Sequence, residues 1–206
     1  MRKFPAVILA GGRSRRMGRD KTLADLGGRP MLETVIERLA PQVTGIVLNA
    51  PSTTAPIFGL PLVPDGLGGQ IGPLAGILAA LRDTAQRHPD ASHILSVPAD
   101  SPFFPSNLAE RLAASLQSPD EIAVAASGGR MHPVFALWPM TLACDLETWM
   151  ADPENRRMTG FIVRHPNTTV DFPMFDAVLG AVDPFFNVNT PEDLEQAQKI
   201  RQNWAP

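Results

Sequence analysis

The residues of this chain that are best suited to chemistry lie near its N-terminus, between Leu9 and Lys21. Five basic side chains and three glycines occur within these thirteen residues. They directly follow the apolar run 6–9, which predicts a buried strand. Glycines let the backbone approach a ligand closely and offer it N–H groups, and cations beside those donors suit a polyanion. The segment therefore predicts a binding site for a triphosphate, although a glycine-rich turn without a ligand is the alternative.

The spacing within this loop excludes two common phosphate-binding motifs. A P-loop requires Gly-Lys-Ser/Thr in direct succession, whereas two residues separate Gly18 from Lys21. The dinucleotide fingerprint G-x-G-x-x-G is also absent. We therefore predict a third kind of phosphate-binding loop, in which Lys21, Arg15 and Arg16 neutralise a triphosphate.

Polar residues also follow three later apolar runs: Asn49, Asp65 and Asp100. In open α/β sheets, ligands lie beyond the carboxyl ends of the strands, but Asn and Asp also end strands as ordinary turn formers. Asn49 and Asp65 suit base and ribose recognition, because a carboxylate can accept the paired N1–H and N2–H₂ donors of guanine. Together with the basic loop, these residues predict a nucleotide site at one edge of a sheet.

Asp100 lies between two prolines, in the stretch 97–103, at the end of a predicted strand. Mg²⁺ prefers one or two carboxylates together with phosphate oxygens and water, so one well-placed Asp suffices. An Asx-turn between the prolines is an equally good interpretation from these residues alone.

Strand-like and helix-like patterns alternate along the 206 residues, which predicts one α/β domain with a doubly wound, mostly parallel sheet and helices on both faces. Residues 140–165 are predicted to be largely helical, and Thr190-Pro191 predicts a helix start. Asn187 and Asn189 are predicted to lie on a strand and to face the same side. The remaining predicted strands cover 6–9, 46–48, 93–97, 122–125 and 134–138, and the remaining helices begin near 30, 73 and 108.

Composition limits the functional class. The net charge of −3 provides no general attraction for nucleic acid or a membrane surface. No apolar run approaches the roughly 18 residues of a membrane span, and a single cysteine, Cys144, suits a reducing compartment. We therefore expect a cytoplasmic protein that binds neither nucleic acid nor membrane.

Five ordered motifs resemble those of the molybdenum cofactor guanylyltransferases, within the nucleotidyltransferase superfamily. The resemblance extends from about Pro5 to the last helix and is weakest between 140 and 180. The motifs are L-A-G-G-x-x-x-R-M-G-x-D-K at 9–21, G-P-L-A-G at 72–76, P-x-D-x-P-F at 98–103, H-P-x-x-x-L-W at 132–138 and F-x-N-x-N-T-P-E-D-L at 185–194.

This resemblance implies a nucleotide-diphospho-sugar transferase (Rossmann-like) fold, with residues 1–104 binding the nucleotide and 105–206 forming the acceptor portion. Asp100 would bind Mg²⁺, and Lys21, Arg16 and Asp100 would be catalytic. Asn187 and Asn189 either help to bind the second substrate or pin the terminal helix, and 156–157 loosely matches the pterin region. The implied ligand-binding set is Leu9, Ala10, Gly11, Gly12, Arg15, Lys21, Asn49, Asp65, Gly72, Asp100, Asn187 and Asn189.

The implied reaction transfers GMP from GTP to molybdenum-molybdopterin and releases pyrophosphate. The acceptor's phosphate needs no general base, in keeping with a sequence that shows no obvious Ser-His-Asp arrangement. His132, which precedes a proline, is more simply structural, and no spacing of histidines or cysteines predicts a zinc site. The implied protein partners are molybdoenzyme chaperones or upstream cofactor-synthesis proteins. The alternatives are a cytidylyltransferase acting on the same pterin, a sugar-phosphate nucleotidyltransferase, and a non-catalytic nucleotide- or cofactor-binding protein.

Overall fold

Six strands form the central sheet of the computed structural model, which describes residues 3–11, 24–51, 58–66, 72–177 and 180–202. Their order is β2-β1-β3-β5-β4-β6, and β5 is antiparallel to both of its neighbours while the other pairs are parallel. This confirms the doubly wound, mostly parallel sheet. The strands are β1 (Ala6–Leu9), β2 (Ile46–Asn49), β3 (His93–Pro98), β4 (Ile122–Ser127), β5 (Arg130–Pro139) and β6 (Asn167–Asp171).

Helices cover both faces of the sheet, so alternate residues of each strand enter different apolar clusters. Ile8 and Leu95 pack on one face with α1 and α3, whereas Val7 and Ile94 pack on the other with α2, α4 and α5. Strands that are buried on both faces are apolar throughout, which explains why these runs were predictable. The helices are α1 (Met31–Leu39), α2 (Pro73–Arg87), α3 (Leu108–Ser115), α4 (Ala143–Met150), α5 (Met158–Ile162) and α6 (Pro191–Gln202).

A tight hairpin between β4 and β5 explains the antiparallel strand. Gly128 and Gly129 form its two-residue turn, and both have positive φ angles, 54° and 78°. Two consecutive positive φ angles match the twist of a hairpin and favour glycine. The register then shifts, because Ala125 pairs with His132 whereas Val124 pairs with Ala136. Residues 133–135 of β5 thus interrupt the regular pairing, and Pro133 has no N–H to donate to the ladder. The turn places the start of β5 at the same sheet edge as the end of β4.

The region after β5 differs from the sequence prediction. A short 3₁₀ turn precedes α4, and the loop 151–157 separates α4 from α5, so 140–165 is only partly helical. The polar strand β6 and a separate hairpin of β7 (Phe175–Ala177) and β8 (Gly180–Val182) were not predicted. Side chains of β6 alternate between exposed and half-buried at the sheet edge, so the strand lacks the apolar run of a central strand.

The last helix joins a third apolar cluster beside the start of α1. Ala197 and Ile200 of α6 pack there with Leu26, Met31 and Val188. The predicted helix start is confirmed: Asp193 N–H donates to Thr190 Oγ1 at 3.1 Å, and Asp193 Oδ2 accepts from the Thr190 N–H at 2.9 Å. None of the helices in the described ranges is long and apolar enough to cross a membrane.

Candidate active site

The carboxyl ends of the three parallel strands β2, β1 and β3 lie side by side. The Ala10 N–H donates to the Asn49 carbonyl at 2.9 Å, and the Ala99 N–H donates to the Leu9 carbonyl at 3.0 Å. These bonds bring Leu9, Ala10 and Asn49 together at one edge, with Asp100 one residue beyond Ala99. Four predicted site residues lie outside the described residues: Gly12, Arg15, Arg16 and Lys21.

Asn49 holds Asp65 at this edge. The Asn49 Nδ2 donates to Asp65 Oδ1 at 2.8 Å and to the Val63 carbonyl at 2.9 Å. Asn49 is only 3% exposed, whereas Asp65 is half-buried. An amide nitrogen has two hydrogens, and these two acceptors use both. The structure therefore brings this predicted pair together, with Asn49 orienting the carboxylate of Asp65.

The first turn of α2 packs directly against Asn49. A Cβ added at Gly76 would lie 2.2 Å from Asn49 Oδ1 and 2.7 Å from Leu9 Cδ2, so only glycine fits without displacement. Gly72 caps the helix at φ 88°, ψ −174°, a conformation that is essentially restricted to glycine. The two glycines bring the N–H groups of a helix N-terminus to the site, and such groups favour an anion.

Asp100 lies in the turn after β3 and is half-buried. Its backbone carbonyl accepts the Val188 N–H at 2.8 Å, and the buried Ser101 Oγ donates to Asn187 Oδ1. These bonds place Asn187 next to Asp100, although the two residues lie far apart in the sequence. Residues 183–189 thus run along the end of β3, and we call them the return segment.

The prediction that Asn187 and Asn189 lie on a strand is wrong. The return segment is irregular, because the Val188 N–H bonds to the turn at Asp100 and not to a strand ladder. Asn187 is exposed, while Asn189 is half-buried and its N–H donates to Asp193 Oδ2 at 2.8 Å. Asn189 thus takes part in the start of α6, whereas Asn187 contacts Ser101 in the turn after β3.

The donor set at this edge suits a magnesium–phosphate complex. In the described part of the chain, no group of three or more His, Cys, Asp and Glu residues could hold a metal by itself. A single carboxylate such as Asp100 fits Mg²⁺, which takes its other ligands from phosphates and water.

A polar cluster that the sequence did not reveal lies farther along the same edge. Ser127 ends β4, His132 lies near the start of β5, and Asp183 begins the return segment. The Ser127 Oγ is 2.7 Å from His132 Nε2 and donates to Asp183 Oδ1 at 2.6 Å, while His132 Nε2 lies 3.6 Å from Asp183 Oδ2. We call these three residues the polar clasp.

The directions of these hydrogen bonds exclude Ser127 as an activated nucleophile. An ionised Asp183 only accepts, so the single hydroxyl hydrogen of Ser127 points to it. His132 must then donate its Nε2–H to Ser127 Oγ, whereas a serine nucleophile needs a histidine that accepts. Burial is the largest influence on the pKa of His132 and lowers it, Asp183 raises it, and Arg130 lowers it.

The two arginines of the loosely matched pterin region differ. The Arg156 Nη1 donates to the carbonyls of Met150 at 2.9 Å and Asp152 at 3.1 Å. Its side chain therefore stabilises the loop 151–157, in which it lies. Arg157 is exposed. Of the two, Arg157 has the side chain placed to meet a ligand from solvent.

Comparisons with known proteins identify the family of this chain. Residues 6–168 match the family described as "MobA-like NTP transferase domain". Two curated relatives, from Rhizobium meliloti and Sinorhizobium fredii, are both named "Molybdenum cofactor guanylyltransferase". They are 56% and 54% identical over 98% and 96% of this chain, and 92% and 91% of their own lengths.

The crystal structure of molybdopterin-guanine dinucleotide biosynthesis protein A from Archaeoglobus fulgidus has the same fold. Its TM-score is 0.72 with 24% identity, and the alignment covers 97% of this chain and 99% of that one. The family match and the full-length relatives give one assignment: this chain belongs to the molybdenum cofactor guanylyltransferase family of MobA-like NTP transferases.

Proposed function

We propose that this protein transfers GMP from GTP to molybdenum-molybdopterin, forming molybdopterin guanine dinucleotide and pyrophosphate. The observation that carries the proposal is the Asn49–Asp65 pair, which lies at the same edge as Asp100, where the parallel strands β2, β1 and β3 end. Family membership supports the nucleotidyl transfer, and the relatives' name supplies the guanine and the molybdenum cofactor.

Asp65 is the residue we assign to guanine. Its carboxylate can accept the N1–H and N2–H₂ donors of the base, a pair that cytosine lacks. Asn49 stabilises this arrangement, because its amide bonds fix the orientation of Asp65 toward the site. Because Asp65 and the Val63 carbonyl use both hydrogens of the Asn49 amide, we assign Asn49 an effect on the base through the carboxylate of Asp65.

The triphosphate lies, in this proposal, between the glycine loop and the start of α2. Backbone groups of Leu9, Ala10, Gly11, Gly12 and Gly72 approach it, and Arg15, Arg16 and Lys21 neutralise it. Asp100 would hold Mg²⁺, which supplies positive charge for the phosphate oxygens. Charge neutralisation and positioning are the main sources of catalysis in phosphoryl transfer.

The chemical step needs no base from the protein. The acceptor's terminal phosphate is mostly dianionic near neutral pH, because its second pKa is about 6. One of its oxygens forms a bond to the α-phosphorus of GTP, and the bond from that phosphorus to the bridging oxygen breaks. Pyrophosphate leaves with the bonding electrons, stabilised by Lys21 and Arg16. Residues 105–206, with Asn187 and the exposed Arg157, would hold the acceptor.

A nucleotide panel tests this function. The protein is incubated with Mg²⁺, molybdenum-loaded molybdopterin and each of the four NTPs, and the dinucleotide product and pyrophosphate are measured. We expect product with GTP, and loss of product when Mg²⁺ is chelated. Greater incorporation from CTP would indicate the cytidylyltransferase alternative, and binding without turnover would indicate the non-catalytic one.

The basic loop is tested by Lys21→Ala. We expect turnover to fall by about two orders of magnitude, the typical cost of removing one group that stabilises transition-state charge. Circular dichroism should show an unchanged fold, since one loop lysine contributes little to folding. A nearly normal rate would remove Lys21 from the catalytic machinery.

A further inference from the structure

We propose that His132 and Ser127 are positioning residues for the acceptor, because the polar clasp fixes the return segment against Asp100. This inference rests on the proposed function, since it assigns the acceptor to the surface that the return segment forms. The clasp lies at the end of β4 and the start of β5, and its effect reaches Asp100 through residues 183–188.

Both ends of the return segment are anchored to the sheet. At its beginning, Asp183 Oδ1 accepts from the Ser127 hydroxyl at 2.6 Å and from the Phe185 N–H at 2.9 Å. At its end, the Val188 N–H donates to the Asp100 carbonyl at 2.8 Å. The segment therefore bridges from β4 to the end of β3, and the exposed Asn187 lies at the junction.

His132 contributes two contacts to the first anchor. Its Nε2–H donates to Ser127 Oγ, which leaves the serine hydrogen for Asp183. Its ring lies 4.7 Å from the ring of Phe185, which is nearly fully buried and also contacts Phe135 and Phe172. Without the imidazole donor, Ser127 is free to rotate away from Asp183, and the segment loses its fixed start.

A second histidine provides an internal control. His93, at the opposite edge of the sheet, is buried, whereas His132 is half-buried. The Nδ1 of His93 lies 3.0 Å from Ser92 Oγ, its Nε2 lies 3.2 Å from the Glu121 carbonyl oxygen, and its ring packs edge-on against Phe4. Like His132, it contacts a serine hydroxyl and a phenylalanine ring, but it lies at the amino end of β3, away from the return segment. A purely structural role for His132 predicts equal consequences for equivalent substitutions at the two positions.

The experiment compares His132→Phe, His132→Gln, Ser127→Ala and the control His93→Phe in the full-length protein. Phe keeps the ring packing and removes the donor, whereas Gln restores an N–H near the Nε2 position. We expect His132→Phe and Ser127→Ala to raise KM for molybdenum-molybdopterin about tenfold, the size of one lost hydrogen bond to a charged group. KM for GTP should stay within about twofold of wild type in the same variants.

Two further measurements separate positioning from general damage. Compared with the wild type, amide hydrogen exchange at residues 185–188 should be faster in His132→Phe and unchanged in His93→Phe. In His132→Gln, the exchange rate there should return toward the wild-type value. His132→Gln should also recover most of the acceptor KM.

The inference is overturned if His132→Phe and Ser127→Ala keep the wild-type acceptor KM and exchange rates, or if His93→Phe reproduces their effects. Should His132→Phe fail to fold, Ser127→Ala decides. Absence of any dinucleotide product from the wild-type protein would refute the proposed function, and the exchange measurement would still decide whether the clasp holds the return segment.

Discussion

The candidate active-site edge has two parts that are built in different ways: the half to which we assign the nucleotide and the half to which we assign the acceptor. In the nucleotide half, Asn49 ends β2 and Asp100 follows β3, while β1 between them continues into Ala10 and Gly11. Each of the two polar residues follows its own apolar run. In the acceptor half, an antiparallel strand starts where its neighbour ends, and a segment 56 residues away completes the cluster. The first half is defined by strand ends, and the second by contacts that are distant in sequence.

This difference has a functional counterpart. In the half to which we assign the nucleotide, Gly76 lets the start of α2 approach the strand ends at Asn49 and Leu9 closely. The polar clasp consists of contacts between residues that are distant in sequence, and it lies in the half to which we assign the acceptor. Substitutions in the two halves should therefore affect different kinetic constants.

The largest effect is expected from Asp100→Asn in the nucleotide half. The amide keeps the shape of the side chain but removes the negative charge that attracts a divalent cation, so turnover should fall by about 10²- to 10³-fold. Pyrophosphate release measures it, and Asp90→Asn, an exposed carboxylate elsewhere, is the matched control. If Asp100→Asn retains turnover within threefold of wild type, Asp100 does not belong to the machinery.

A smaller effect on specificity is expected from Asp65→Ala. Losing a carboxylate that accepts two donors from guanine should reduce the preference for GTP over CTP by about 10- to 100-fold. Asn49→Ala should cause a similar loss, and the double variant should be no worse than either single one, because both act on one contact. Additive losses would instead indicate that Asn49 contacts the nucleotide directly.

A moderate effect on stability is expected from Gly76→Ala. The added Cβ overlaps Asn49 Oδ1, so α2 or Asn49 must shift, and such overpacking costs about 1–3 kcal/mol. For a chain of this size, the melting temperature should fall by roughly 2–12 °C. Gly45→Ala is the control, since a Cβ there meets no atom within 4 Å. Equal melting temperatures for the two variants would contradict the close packing at Gly76.

The smallest effect concerns pH and belongs to the acceptor half. Burial lowers the pKa of His132 below 6.5, and Arg130 acts in the same direction against the opposing effect of Asp183. As pH falls through 6.5, the unfolded chain binds this proton before the folded one, so stability declines until the folded pKa is passed. In His132→Gln, the melting temperature should therefore depend less on pH between pH 7 and 5 than it does in the wild type. Parallel curves for the variant and wild type would rule out a contribution from this imidazole.

The nucleotide half was largely predictable from the sequence. Apolar runs identify the central strands, and parallel pairing brings Asn49 and Asp100 to one edge. The bond from Asn49 to Asp65 was not predictable, because it depends on how the chain between them returns alongside β2. Here Leu62 pairs with Leu48, and this single bridge stands in place of a full strand.

The acceptor half was mostly missed for a physical reason. Asp183 meets Ser127 only after the whole sheet has formed, and no local pattern encodes a contact over 56 residues. One local signal was present: Gly128-Gly129 predicts a two-residue hairpin, which would have placed Ser127 and His132 at one edge. β6 is mostly polar, and the return segment contains Pro184 and several polar residues. Neither segment has the regular apolar spacing from which a strand or helix could be predicted.

The placement of α6 has a consequence for how the protein is made. Val188 of the return segment and Ile200 of α6 share one apolar cluster with Leu26 and Met31, which lie just before and at the start of α1. Gln198 also donates to the Asp25 carbonyl at 2.9 Å. Because a ribosome delivers the chain from the N-terminus, residues 24–31 wait for partners that are synthesised more than 150 residues later. A nascent chain that ends before α6 therefore lacks part of the apolar cluster that joins the start of α1 to the return segment. This cluster is completed only when α6 docks.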